Sequence, residues 1–387
     1  MTDTTPTLFP IDRDDVLAGV GILLVSLLST VTGTGGGELF LPIFILVLQI
    51  DIIYSIPLSA VTVLGGCLGR LLFIRFLRKD GLSKISYVTG LLMSFSTTSS
   101  FIGVMLGQLV PKPISFGLII ILLGVSLVKT LQLGMKKPPR KESGPESGSG
   151  PSSTPPTTDV ELGKTPKIAA GVGGNTEHIP LSLGLTTTNL IVSLLTSFGF
   201  KLFQPCSKNY YLYFTVQLLV LICWNILAGL WIRDRYRVSY RGGYTTPKGD
   251  IHWTWKTITT VAILSYFVGI TVTYLGIGGV IFGPILLAQG ISPKVMVYTA
   301  PIFILVGAII ATCQYAVVDR ILYDYAVWAA IISLIGSIIG MTFADRINKK
   351  RILILLGLLL LITVVMLGID AVVNDKYDQF EVGSLCK

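Results

Sequence analysis

The sequence predicts an all-α polytopic membrane protein, built from two inverted repeats of transmembrane helices with Gly-broken half-helices, about 9–12 membrane segments in all. Three observations carry that prediction. Only 13% of the 387 residues are charged, against roughly 25% in soluble globular proteins. Hydrophobic residues make up 51% and recur in long runs. Glycine-dense breaks of similar composition occur at 33–37 and 276–279.

The same composition excludes other classes. Disorder needs low hydrophobicity, so it cannot describe most of the chain. The five cysteines (Cys67, Cys206, Cys223, Cys313 and Cys386) are too scattered for a secreted disulfide scaffold or a metal site. Only two histidines occur, His178 and His252, both in loops, and no HExxH, GxSxG or CxxC pattern appears. GVGGN at 171–175 lacks the Lys-Ser/Thr of a phosphate loop. The expectation is therefore no enzyme, no catalytic residues, no metal and no cofactor.

The net charge of +9 has a positional meaning. Lys and Arg gather between apolar runs: Arg75, Arg78, Lys79 and Lys84; Lys136, Lys137, Arg140 and Lys141; Arg233, Arg235, Arg237 and Arg241; Arg346, Lys349, Lys350 and Arg351. That is the positive-inside pattern of cytoplasmic loops. No basic-aromatic surface accompanies it, so no nucleic acid is expected as a partner.

A crossing helix needs about 20 apolar residues. In order, the expected spans are 16–34, 55–77, 84–110, 113–134, 211–232, 257–276, 294–318, 322–345 and 351–370. A weaker one, 181–200, is diluted by Thr186, Thr187, Thr188 and Asn189. Two shorter apolar pieces, 38–50 and 280–290, reach only roughly 15–20 Å, the length of a half-helix. If every basic cluster is cytoplasmic and each short piece returns to the side reached by its long neighbour, 181–200 pairs with 211–232 and both termini lie outside; if 16–50 is instead one broken crossing, the N-terminus lies inside. Acidic ends agree (Asp12, Asp14, Asp15; Asp370, Asp375, Asp378). Residues 1–15 lack the basic start of a cleavable signal.

The expected organisation is a first transmembrane repeat at 1–134, a disordered cytoplasmic linker at 135–180, an inserted transmembrane pair with a basic loop at 181–256, and a second repeat at 257–387. The linker is rich in Pro, Ser and Gly and cannot repay its ordering entropy. The passive-tether reading is preferred to a phosphorylated one.

The two halves echo one another. GTGGGELFLP at 33–42 parallels LGIGGVIFGP at 275–284, Ser59-Ala60 parallels Thr299-Ala300, and IGVMLG at 102–107 parallels IGSIIG at 335–340. The charge-derived topology places the two starts on opposite sides, so the repeats are inverted. Secondary transporters are commonly built so, with the substrate at the midplane by paired broken helices.

The breaks suggest the chemistry. Gly33, Gly35, Gly36 and Gly37 can adopt positive φ and interrupt a helix. A new half-helix then begins near Glu38, and another near Val280. Its first N–H groups lack intrahelical acceptors and carry partial positive charge. Two such ends facing each other make an anion site without a lysine. Pro42 and Pro284 are expected in or near the first turns, where proline is tolerated. Gly103/Gly107 and Gly336/Gly340 read instead as close-packing pairs.

Glu38 is an acid inside the membrane. It serves either as a proton carrier or as local N-terminal structure, and Val280 at the matching position rules out a symmetric role. Arg70 is read as snorkelling toward the basic end of its helix, in preference to attracting an anion. Lys129 reads as topological. Thr62, Thr97, Thr98, Ser99 and Ser100 could line a polar path, though such hydroxyls more often bond their own backbone. Gln314 and Asn225 fit either interhelical bonding or substrate contact.

At these breaks the sequence resembles the TauE/SafE family of sulfite and sulfonate exporters. GTGGGELFLP with PLSAVTVLGG at 57–66, and GIGGVIFGP with YTAPIFILVGA at 298–308, carry the resemblance across about 16–134 and 257–370. It implies transport of small sulfur-containing anions such as sulfite, sulfoacetate or organosulfonates, coupled to an ion gradient by a proton or cation. The insertion at 135–256 is similar to that of the family's eukaryotic branch. The substrate-binding candidates are Gly35, Gly36, Gly37, Gly278, Gly279, Ser59, Thr62 and Thr299, with Glu38 for proton coupling. The expected partners are a small anionic substrate and the lipid bilayer, in a multi-pass protein whose membrane and oligomeric state the sequence does not specify. The rival readings are a transporter or channel for another small solute or ion, and a membrane receptor or scaffold.

Overall fold

The computed structural model describes residues 8–33, 35–77, 96–135, 179–199, 207–241, 255–276 and 293–343, with isolated positions between 357 and 368. Among these, helices α1 (Arg13–Thr32), α2 (Gly37–Pro42), α3 (Ile52–Phe76), α4 (Ser96–Leu109), α5 (Lys112–Met135), α6 (Ile179–Gly199), α7 (Lys208–Arg241), α8 (Trp255–Leu275), α9 (Pro293–Val317) and α10 (Tyr323–Phe343) follow in order. No strand occurs among the described residues. The short piece 280–290, the linker 136–178 and most of 351–370 fall outside them, as does the start of the 84–110 span.

Among the described residues, six helices (α1, α3, α7, α8, α9 and α10) contain stretches long and apolar enough to cross a membrane. Their outward faces are apolar. Val16, Leu17, Val20 and Leu24 on α1, and Val327, Ile331 and Ile335 on α10, are exposed at helical spacing. Water would penalise such stripes and lipid does not. The protein is an all-α, integral, multi-pass membrane protein.

Local chemistry sets the helix ends. Asp12 caps α1 in a capping box completed by the Asp15 side chain, and Tyr325 donates from its hydroxyl to Asp15 at 3.2 Å. So two of the acids that mark the N-terminal side also start a helix. Asp51 caps α3, accepting from the Ile53 N–H at 3.2 Å. The diluted segment around 181–200 is helical as α6. Helix α7 runs 34 residues, or about 51 Å, well beyond the ~30 Å hydrocarbon core. Just past its apolar part, Arg233 lies 5.2 Å from the centre of the Trp255 ring, a cation–π contact.

Packing is closest where glycines let backbones touch. A Cβ on Gly65 would fall 2.3 Å from the Ala330 carbonyl oxygen, and one on Gly69 2.5 Å from that of Leu334. These glycines seat α3 against α10. Gly336 and Gly340 seat α10 against α1, 2.8 Å and 2.7 Å from the Leu23 and Leu27 carbonyl oxygens by the same measure. Ser26 and Ser333 hydrogen-bond across that seam at 2.9 Å. On the other side, Gly103 meets Ile270 and Thr273, and Gly269 meets Ser96 and Ser99, joining α4 to α8. Gly107 has room, its nearest contact being Tyr274 at 3.8 Å. Helix α1 of the first half packs on α10 of the second, α8 of the second packs on α4 of the first, and α3 packs on α9.

Replacing Gly65 or Gly69 with Leu should therefore destabilise the protein by about 3 kcal/mol or more, the upper range for overpacking. Gly107→Ala should be tolerated, since its new Cβ would meet only ordinary van der Waals distance. Thermal unfolding in detergent, with Gly117→Ala as the open-space control, separates the two cases.

Candidate functional site

Helix α1 ends because the chain enters the left-handed region. Gly33 has φ +76°, Gly35 +95° and Gly36 +82°, values that strain any residue with a Cβ. The Gly33 N–H closes α1 by donating to the Ser29 carbonyl at 2.9 Å. Gly36 then caps α2, its carbonyl accepting from Leu39 and Phe40 at 3.0 and 3.1 Å. The first N–H groups of α2 have no acceptor within the helix. Pro42 is the sixth residue of α2 rather than part of its first turn, because the helix begins at Gly37. Its missing N–H coincides with a switch to a π-helical turn over Ile43–Val47. The whole piece, Gly37–Val47, is about 16 Å long, half a crossing.

The second break meets the first. Helix α8 ends at Gly276, φ +70°, whose N–H donates to Val272 at 2.9 Å. A Cβ on Gly37 would lie 2.6 Å from the Gly276 carbonyl oxygen. Only a glycine permits that approach. Ser59 of α3 fixes the same point, donating from Oγ to the Gly37 carbonyl at 3.0 Å.

Beside this contact lies a cavity of about 40 Å³. A single water needs roughly 10–15 Å³ of such space, so a few waters or one small oxyanion fit. Gly35, Gly37 and Gly276 form part of its wall, and α3, α4, α8 and α9 supply the rest, including Ala60, Ser100 and Gly307. Both halves of the chain contribute. Among the described residues, no charged side chain lines it.

The sequence candidates divide accordingly. Gly35 and Gly37 line the cavity. Gly36 turns away, against the Ser29 side chain. Ser59 holds the break through Gly37. Thr62 donates to its own helix at Leu58, 2.7 Å away, as do Ser99 and Ser100 to Ser96, 2.8 and 3.1 Å away. Thr98 accepts from Asn225, which also donates to Tyr266 at 3.0 Å, so Asn225 ties α7 to α4 and α8. Thr299 lies on α9. Gly278 and Gly279 are outside the described residues. Sequence reading passed over Gly269 and Gly307, single glycines in apolar helices, and the Gly65-x-x-x-Gly69 spacing in plain view.

Arg70 does not snorkel. It is 1% exposed, because α1 closes over it. Its Nε donates to Thr30 at 3.0 Å and Nη2 to Ser29 at 3.1 Å. Glu38 is fully buried, and the two charges act on each other. The guanidinium is thus bonded to the last turn of α1, immediately before the break, and acts electrostatically on the acid immediately after it. In a low-dielectric interior each charge makes the other tolerable.

Arg70→Met should cost about 3 kcal/mol in thermal stability, because Glu38 loses its compensating charge. Adding Glu38→Gln to that variant should recover part of the loss. Purely additive losses in the double-mutant cycle would show that the two side chains are not coupled.

Comparisons with known proteins bear on what this cavity serves. The family model described as sulfite exporter TauE/SafE matches residues 177–367. Sulfite exporter TauE/SafE family protein 5 of Arabidopsis thaliana is 24% identical over 354 residues, covering 86% of this chain and 76% of that protein. Family protein 6 of the same plant is 24% identical over 368 residues, covering 91% and 80%. Family protein 2 is 23% identical over 359 residues, covering 86% and 76%. No solved structure matches the chain.

Proposed function

We propose that the chain, which is similar to the sulfite exporter TauE/SafE family over residues 177–367 and to plant proteins of that family over most of its length, is a membrane transporter of this kind and moves a small sulfur-containing anion, such as sulfite, sulfoacetate or an organosulfonate, by alternating access. One observation carries the proposal: a cavity of oxyanion size, with no charged side chain among its described lining, lies where Gly37 and Gly276 touch. The binding groups of this reading are the cavity-lining backbone of Gly35 and Gly37 with Gly278, Gly279 and Thr299 of the second half; Ser59 serves by holding Gly37, while Gly36 and Thr62, candidates by sequence, face Ser29 and the Leu58 carbonyl. The start of α2 supplies N–H groups and the positive end of a helix dipole, which stabilise a negative charge in a dry site.

Inverted repeats at 1–134 and 257–387 are part of this reading, with 181–256 an inserted pair and 135–180 a linker. The reciprocal packing of α1 on α10 and of α8 on α4 supports it, since a two-fold relation would exchange the two contacts. Rocking the halves about the Gly37–Gly276 contact would open the cavity to one side and then the other. Glu38 gives the cycle a coupling proton. Its carboxylate would repel the anion when charged and admit it when neutral, while Arg70 lets the charged form exist in the interior.

Purified protein in proteoliposomes should move sulfite or an organosulfonate across a proton gradient. Failure with every member of an organosulfonate panel, alongside sulfite itself, would leave the family fold with another solute. Gly37→Leu should lower flux at least about tenfold by pushing the breaks apart, equivalent to about 1.4 kcal/mol. Glu38→Gln should abolish the response to a pH gradient while leaving anion exchange down its own gradient. Retained proton-driven accumulation in that variant would remove Glu38 from the coupling role.

A further inference from the structure

The amide of Gln314 is a polar group that the fold buries and leaves without a purpose. Gln314 is 4% exposed, and neither its Nε2 nor its Oε1 has a hydrogen-bond partner. Burying an amide unpaired is costly, and natural folds seldom do so without a reason. Apolar residues of the same length fill such a place without penalty.

Its position supplies a reason. On α9 the cavity wall includes Ile304, Gly307 and Ala311, a stripe at helical spacing. Gln314 follows Ala311 by three residues and Gly307 by seven, so it continues that stripe by one turn. The next residue, Tyr315, donates from its hydroxyl to the Thr273 carbonyl on α8. Thr273 lies three residues before Gly276. The Gln314 end of α9 is therefore tied to the end of α8 where the two breaks meet.

We infer that Gln314 is a substrate-binding residue, the neutral side-chain donor of the anion site in the second half of the protein. This rests on the anion-transport reading above and adds a specificity determinant to it. Nε2 donates to a substrate oxygen, and Oε1 accepts from a substrate hydroxyl or from the water that enters with it. A carboxamide suits the task because it holds an oxyanion without adding fixed charge. A lysine or arginine here would bind the anion in a dry site and release it slowly. The class of ligand it fits is a small oxyanion with several acceptor oxygens, such as sulfite or a short organosulfonate. A halide offers no directional acceptor and no donor for Oε1.

The test is sulfite binding and sulfite flux by purified full-length Gln314→Leu, with its thermal midpoint in the same detergent. The inference predicts half-saturation raised at least about tenfold, in keeping with hydrogen bonds lost to a charged ligand, with the midpoint unchanged or higher because an orphaned amide has been removed. If Gln314→Leu does not fold, Gln314→Met, close to the native shape and apolar, gives the same readings. Unchanged sulfite affinity with a lowered midpoint would make the amide a packing element and overturn the inference, leaving the transport reading in place. A wild-type protein that binds neither sulfite nor an organosulfonate would overturn both.

Discussion

The structure depends on one close approach, the backbone of Gly37 against the carbonyl of Gly276. A Cβ at 2.6 Å from that oxygen has no room, so the contact exists only with glycine. Much else follows from it. Helix α1 must stop, which Gly33, Gly35 and Gly36 achieve with positive φ. Helix α8 must stop at the same depth, which Gly276 achieves in the same way. Interrupted backbone inside a bilayer must be enclosed by protein or by a polar cavity, and the cavity beside the two breaks is that enclosure. Ser59 supports the arrangement from α3 by holding the Gly37 carbonyl.

The charge pattern and the site are complementary. The chain carries a net +9, yet among the described residues none that is charged lines the cavity. In the sequence its Lys and Arg cluster between the apolar runs, where the positive-inside rule would use them for orientation. Within the core, Arg70 is bonded to Ser29 and Thr30 and acts electrostatically on Glu38. A neutral site of backbone dipoles and hydroxyls can admit an anion and let it go, whereas a fixed cation in a dry cavity would bind it too long.

The fold was largely legible in the sequence because the bilayer leaves so few options. Apolar runs of about 20 residues can only be spanning helices, and a glycine run in the midst of them can only be a break. Packing pairs such as Gly336 and Gly340 could be read from spacing alone. What the sequence hid were partnerships between distant segments. Arg70 reads as a snorkelling residue near a basic helix end, and its burial depends on α1, 40 positions away in the chain. Asn225 and Gln314 look alike as single polar residues in apolar helices. Only three-dimensional placement shows that Asn225 bonds Thr98 and Tyr266 while the Gln314 amide has no hydrogen-bond partner among the described residues. Thr62 and Ser59 share a helix and a chemistry, yet a difference of three residues turns one hydroxyl to its own carbonyl and the other to the break.

The central claim concerns where the anion sits, and the most direct measurement is anomalous diffraction from crystals of the protein equilibrated with selenite, the heavier homologue of sulfite. The account predicts a selenium peak inside the cavity, within hydrogen-bonding distance of the first N–H groups of α2 and bordered by Gly276. A peak found only among the basic residues of the loops, with the cavity holding none, would contradict it.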